Sequence, residues 1–355
     1  MIPEQHSQHL ETAYLNYKKK RWLLCGLLLP VLILSFLGSL AIGSASLSLS
    51  EVTQVLWQLI SDHVSVPDTS AGIIIRDFRL PRISMGCLTG MALGASGAVM
   101  QVVLRNPLAD PYICGISAAA GFGASLAIIS GISIMTGLFF VVGNAFIFSL
   151  ISVSIMLAVS GRKGAAPQTM ILTGIALLFF FQAMTTILQY FGDSDAVKAA
   201  VFWTIGDLGK AGWGEISIIT PFVFAGTAYL CFQSRDLNLI NAGDETAQSL
   251  GINVTRVRIL SLVVSTVMVA GIVSFTGTIG FIGLIAPHMV RFFVGNDNTI
   301  LIPASGLVGA VLLIISDTLA RTVLSPVILP VGTLTAFLGV PLFVYLIIFK
   351  KEMLQ

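Results

Sequence analysis

The chain has 355 residues, 55% of them hydrophobic and only 10% charged, with a mean hydropathy of +0.93 and a formal net charge of +2. Soluble domains carry about 25% charged residues, so this composition excludes a soluble globular protein and marks an all-α polytopic membrane protein. So small a net charge gives no basic surface for nucleic acid, and Cys25, Cys87, Cys114 and Cys231 all lie in or beside apolar runs, without disulfide or metal-site spacing.

In chain order, a polar stretch (1–21) precedes an apolar run long enough to stay as a span rather than be cleaved as a signal. At roughly 20 apolar residues per crossing, spans fall near 22–42, 83–103, 112–131, 136–159, 167–190, 213–233, 259–276, 280–294, 301–320 and 331–349, about ten in all. With the N-terminus inside, thirteen Lys/Arg lie on the inner side, Lys163, Lys350 and Lys351 among them, against six outside (Arg76, Arg79, Arg82, Lys198, Lys210, Arg321). That asymmetry predicts both termini in the cytoplasm. The outer segment 43–82 contains Ser48-Leu-Ser-Glu51, the spacing of a capping box. Val52, Val55, Leu56, Leu59 and Ile60 follow at helical spacing and predict a short amphipathic surface helix with Trp57 as interfacial anchor.

The second span carries Gly86, Gly90, Gly94 and Gly97, a small-residue stripe that predicts close helix packing. Arg105-Asn-Pro-Leu-Ala-Asp-Pro111 ends it sharply, and Asn106 can satisfy freed backbone groups. The outer segment 191–212 predicts a second surface helix, with Asp195 as cap and Gly206 as stop. Next comes Ser234–Arg258, polar between two apolar runs. It holds two short amphipathic pieces, one with Leu237, Leu239 and Ile240 stopping near Gly243, the other from Asp244 with Ala247 and Leu250 on one side, stopping at Gly251. Helices under roughly 12 residues rarely hold alone, so this stretch reads as a docking element for a cytosolic motor. His288 is a lone histidine and a poor metal site; it and Arg291 read as inner-boundary residues. Gln101, Thr173, Gln182 and Gln189 are polar groups within spans that line a path or bond between helices. Arg79-Leu-Pro-Arg82-Ile and Arg256-Val-Arg258-Ile open spans of opposite direction, a faint inverted repeat.

Several blocks taken together, RLPRI (79–83), GASGAVMQ (94–101), RNPLADPYICGISAAAGFGA (105–124), AGDETAQSLGINV (242–254), GTIGFIGLIAPHMVR (277–291), DTLAR (317–321) and LPVGTLTAFLGVPLF (329–343), span most of the chain. In that order they resemble the FecCD-type ABC importer permeases for iron–siderophore, haem and cobalamin uptake. The resemblance implies a single permease domain (1–355) of type II importer architecture that forms a homodimer in a bacterial or archaeal inner membrane. Two cytosolic ABC ATPases would bind below, holding ATP and Mg, and a soluble or lipid-anchored substrate-binding protein would dock outside; the chain itself would bind no cofactor and no metal, and catalyse nothing. The family's coupling helices match Gly243, Asp244, Glu245, Ala247, Ser249, Leu250 and Gly251 within the 234–258 loop. Arg79, Arg82 and Arg321 match its binding-protein docking arginines; the alternative for them is headgroup anchoring or internal pairing, Arg321 with Asp317 one turn earlier. Asn106 and Leu108 match its inner gate; the alternative is a plain helix-breaking turn.

The chain has no G-x-x-x-x-G-K-[ST] phosphate loop, so energy from ATP must come from a partner. A secondary transporter driven by an ion gradient is the competing reading; it needs ionisable groups near the bilayer midplane, where the spans here carry almost none. An intramembrane enzyme lacks a His-Glu-x-x-His or a carboxylate pair. By family, iron–siderophore or haem is the expected cargo, with cobalamin and a molybdate-type oxyanion open.

Overall fold

The computed structural model describes residues 4–43, 47–61, 69–162 and 164–349. Lys163, Lys350 and Lys351, counted above on the inner side, lie outside the described residues. The elements run α1 (Glu4–Ala41), α2 (Leu49–Ser61), α3 (Ser70–Ile73), α4 (Leu80–Val103), α5 (Ile116–Ser130), α6 (Phe140–Gly161), α7 (Pro167–Phe191) and α8 (Ser194–Thr204). After them come α9 (Trp213–Phe232), α10 (Ser234–Ala242), α11 (Asp244–Ser249), α12 (Val254–Thr276), α13 (Ile282–Val294), α14 (Asn298–Thr322) and α15 (Val331–Phe349). Among the described residues seven helical stretches are long and apolar enough to cross a membrane, and α5, α13 and α15 contribute three shorter apolar ones. These ten coincide with the ten expected spans to within a few residues at most ends. We call the end bearing α10 and α11 inner, from the Lys/Arg distribution.

The bundle is organised around α4, the most buried of the long helices. Its glycine stripe is the reason. A methyl group at Gly90 or Gly94 would overlap the backbone carbonyls of Gly309 and Ser305 on α14, and one at Gly97 would overlap the Gly283 carbonyl on α13. Backbone lies on backbone along this seam, as small-residue stripes allow. Gly86 is set apart: it faces the Leu208 side chain instead of a helix. Upstream, Ile74–Arg79 is wound as a π-helical segment. Pro81 has no N–H for the carbonyl four residues back, and the chain widens just before it.

The third span departs from expectation. The sequence predicts 112–131, starting at the inner side, but α5 begins at Ile116 after a 3₁₀ turn over Pro111–Cys114. The Pro111 ring packs on Gly283, which also lies against the Leu93 carbonyl, and Tyr112 Oη donates to Ile279 O at 3.2 Å. Leu93 is ten residues up α4 from Val103, about 15 Å at 1.5 Å per residue. The chain therefore turns back between the helices before α5 starts, and α5 is a half-helix. Its partner at this depth is the start of the equally short α13, where Gly277 (φ 70) and Phe281 (φ 69) turn the chain in left-handed backbone.

At the outer end α2 forms as the sequence predicts. Ser48 N donates to Glu51 Oε2 at 2.8 Å and Glu51 N to Ser48 Oγ at 3.2 Å, a reciprocal capping box. These bonds to Ser48 hold the Glu51 carboxyl below its ordinary range. Val52 and Val55 pack with Leu40, Ile75, Ile83 and Ile314, while Trp57 is exposed. In the second outer segment Asp193, not Asp195, caps α8: its Oδ2 accepts from Asp195 N at 3.0 Å. The acid two residues earlier caps the helix because helical backbone begins at Ser194. α8 packs Ala200 and Trp203 inward and leaves most of its other residues exposed, as a helix lying on the surface would. The strand-like 205–207 that follows is clipped to both neighbours, Gly206 N to Thr278 O at 3.1 Å, Asp207 N to Thr276 O at 2.8 Å and Gly332 N to Gly206 O at 3.1 Å.

Candidate functional site

The inner end carries an elbow made by α10 and α11. α10 turns its apolar face to the bundle, with Leu237 and Ile240 buried. Gly243 breaks it with φ 133 and ψ 143, backbone open only to glycine. α11 then runs for six residues. Ile252 N donates to Ala247 O and Gly251 N to Gln248 O around Gly251 (φ 85), the C′ closure expected there. One expectation fails. Ala247 is fully buried but Leu250 is 61% exposed, so they do not share a face. The helix is too short: its single inward position is Ala247, and the chain has left α-geometry by Leu250. Glu245, Gln248, Ser249, Leu250 and Gly251 together form an exposed ridge.

Asp244 does not belong to that ridge. Its Oδ1 accepts from Arg105 Nη2 at 2.8 Å and from Arg258 Nη2 at 3.0 Å. Arg105 closes α4, Arg258 opens α12, and Asp244 fastens the elbow to both. Arg105 Nη2 also donates to Ile240 O at 3.4 Å. No local pattern announces this: 139 residues separate Arg105 from Asp244.

Beside the elbow, Asn106 Oδ1 accepts from Leu108 N at 2.9 Å and rigidifies the turn, while the Leu108 side chain stands exposed. Asn106 borders a polar cavity of about 450 Å³ shared with Gln101, Arg105, Asn241, Arg291 and Asn298. His288 and Arg291 are not boundary groups presented outward. His288 is buried, its Nδ1 2.9 Å from Leu284 O and 3.4 Å from Gln101 Nε2, and Arg291 Nη2 donates to Gln101 Oε1 at 2.8 Å. Pro287 and the short length of α13 keep His288 inside the bundle. Of the polar groups within spans, Gln101 thus bonds between helices, whereas Thr173 Oγ1 donates within its own helix to Thr169 O. Among the described residues no group of three or more His, Cys, Asp or Glu is placed to hold a metal ion.

The outer arginines converge at the opposite end, and all three are turned inward. Asp317 Oδ1 accepts from Arg82 Nε at 2.8 Å and its Oδ2 from Arg321 Nε at 2.9 Å. Arg82 also lies 3.6 Å from Asp207. Arg79 Nη1 donates to the carbonyls at the end of α1, Leu40 O and Ala41 O, and Arg321 Nη2 donates to Ser39 Oγ at 2.7 Å. Each arginine is at most 8% exposed. Internal pairing, the alternative to docking, is what this conformation displays, and Arg321 pairs with Asp317 at the expected one-turn spacing. Through Asp207 the cluster also links the first turns of α4, where Arg82 lies, to the end of α12 at Thr276.

The family model that describes the FecCD transport family matches residues 31–349. The chain belongs to the FecCD transport family. A hemin transport system permease of Yersinia pestis is 35% identical over 95% of this chain and 99% of its own length. A cobalamin import system permease of Halobacterium salinarum is 39% identical over 79% of this chain and 75% of its own. A solved transporter described as of metal-chelate type, in an inward-facing conformation, superposes with a TM-score of 0.81 at 30% identity, covering 91% of this chain and 98% of that one. The fold is accordingly that of a type II importer permease, and the FecCD chain is a multi-pass ABC transport permease.

Proposed function

We propose that this FecCD permease works as a homodimer, moved by two cytosolic ABC ATPases seated on the α10–α11 elbow, and imports a metal chelate handed over by a substrate-binding protein outside. Iron–siderophore or haem is the favoured cargo; the hemin permease likeness supports it. The elbow carries the reading. It is a polar protrusion of two helices too short to stand alone, bolted from behind by Asp244 and presenting a solvent-facing ridge with one exposed leucine at its tip. ATP and Mg belong to the ATPase, and the permease supplies the path and the gates. Asn106 and Leu108 are the inner gate in this account: a proline-bounded turn stiffened by its own side chain, beside a cavity lined by polar side chains.

At the outer face Arg79, Arg82 and Arg321 are the docking arginines in this account, and positive charge there steers acidic residues of the binding protein at long range and raises encounter rates. The buried side chains need not be released for that field to operate. The ion-gradient alternative loses support at Asp317, which is held by two arginines and is poorly placed to carry a proton. Cobalamin stays as a second cargo, favoured by the likeness to the archaeal cobalamin permease. The test of the elbow is Leu250→Asp, which places a charge at the ridge tip while leaving the Asp244 bolts intact. ATPase that co-purifies with the parent chain should be lost by at least about tenfold, taking a contact of 1.4 kcal/mol or more. Undiminished co-purification would remove the elbow as the seat. The cargo is read by mass spectrometry of whatever ligand co-purifies with the binding protein encoded beside this chain.

A further inference from the structure

We infer that Asp244 is the link that carries movement of the elbow into the inner gate, acting through Arg105, while Arg258 fixes the pivot. The inference rests on the reading of the elbow as the ATPase seat and of Asn106–Leu108 as the gate.

Three observations carry it. The first is the strained backbone of Arg105. Arg105 N donates to Val102 O and Asn106 N to Gln101 O, each at 3.1 Å, and Arg105 itself sits at φ 49. This is the helix-end position that takes glycine, because a side chain is strained there. An arginine does nothing for the turn. What it adds is a guanidinium that crosses to α10 and α11 and holds Asp244 and the Ile240 carbonyl.

The second is the pivot. Arg258 has a side chain only 3% exposed, and its Nη1 reaches Ala165 O in the turn between α6 and α7 at 3.4 Å. A buried guanidinium must keep its counter-ion, so Asp244 cannot drift from α12 and the elbow swings about that point instead of sliding free. The third is the short path onward. Asn106 follows Arg105 directly and grips Leu108 N at 2.9 Å. From Asp244 to Leu108 every step is a charge-assisted hydrogen bond, a covalent bond or a side-chain clamp. Glu245 and Leu250 on the exposed ridge take the push, and Asp244, which directly precedes Glu245, passes it inward. Asp244 and Arg105 are positioning residues; neither touches cargo or nucleotide.

The experiment uses the full chain with its ATPase in lipid nanodiscs, carrying Leu108→Cys in a background with the four native cysteines replaced. The probe is a water-soluble maleimide, and the readout is the ratio of labelling rates with and without ATP, normalised to ATP hydrolysed in the same sample. In the parent the ratio should shift by about 5-fold or more, the lower range of measured coupling between sites. In Arg105→Gln and in Asp244→Asn it should collapse toward unity, the double variant should be no worse than either single, and Arg105→Lys should recover part of the shift. A merely structural role predicts neither the shared loss nor the recovery. The Arg105 side chain is 44% exposed, so its variants keep the fold and the test even where Asp244→Asn does not. Full shifts in Arg105→Gln and Asp244→Asn would overturn the link while leaving the elbow and gate standing. A parent that ignores ATP would instead sink the gate and elbow reading, and the link with it.

Discussion

Asp317 shows how much one buried carboxylate can organise. It accepts from Arg82 across 235 residues and from Arg321 one turn away, and is 1% exposed. Removing one partner of such a pair leaves uncompensated charge in a dry site, which costs about 3–5 kcal/mol. Asp317→Ala is therefore expected to lower the thermal unfolding temperature in detergent sharply, far more than Asp207→Ala, whose carboxylate is more than a third exposed; similar small shifts for both would contradict the network. The same burial means that Glu at Arg79 or Arg82 would face carbonyls or Asp317, so either reversal is expected to unsettle the fold itself. The i, i+4 pair of Asp317 and Arg321 was legible in the sequence. The Arg82 and Asp207 contributions were not, since only the packing of α4 on α14 and on the 205–209 turn brings them near.

At the scale of elements, periodicity and punctuation did most of the work. Apolar run length gave the ten membrane segments, the Ser48–Glu51 spacing gave the start of α2, and two glycines gave the ends of α10 and α11. The failures share a physical cause. The re-entrant start of α5 is imposed by Pro111 packing on Gly283 and by Tyr112 bonding Ile279, contacts 167 residues or more apart that no local propensity encodes. Leu250 escaped its expected face because a helix of one and a half turns has room for one inward residue. The glycine seam makes a sharper claim. Gly97→Ala would drive a methyl into the Gly283 carbonyl, and overpacking of this kind costs about 1–3 kcal/mol or more where backbone must move. Gly26→Ala, with open space around it, should be neutral in the same unfolding assay. Equal tolerance at both positions would show that α4 does not lie backbone to backbone on its neighbours.

For the molecule as a whole, the two ends are built for different tasks around one rigid helix. The outer end is stitched by buried ion pairs and the clip at 205–207; the inner end offers an exposed elbow, a strained helix end and a polar cavity. Membership of the family was legible because its sequence blocks recur in order along most of the chain, whereas no block names a cargo. The account turns on energy from a partner. Its most direct test is uptake into proteoliposomes that contain this chain, with its binding protein and either a ferric hydroxamate or hemin supplied outside. Accumulation is expected only when the companion ATPase is present and ATP is sealed on its side, and imposed proton or sodium gradients should add nothing. Uptake driven by an ion gradient with no ATPase in the membrane would contradict the account.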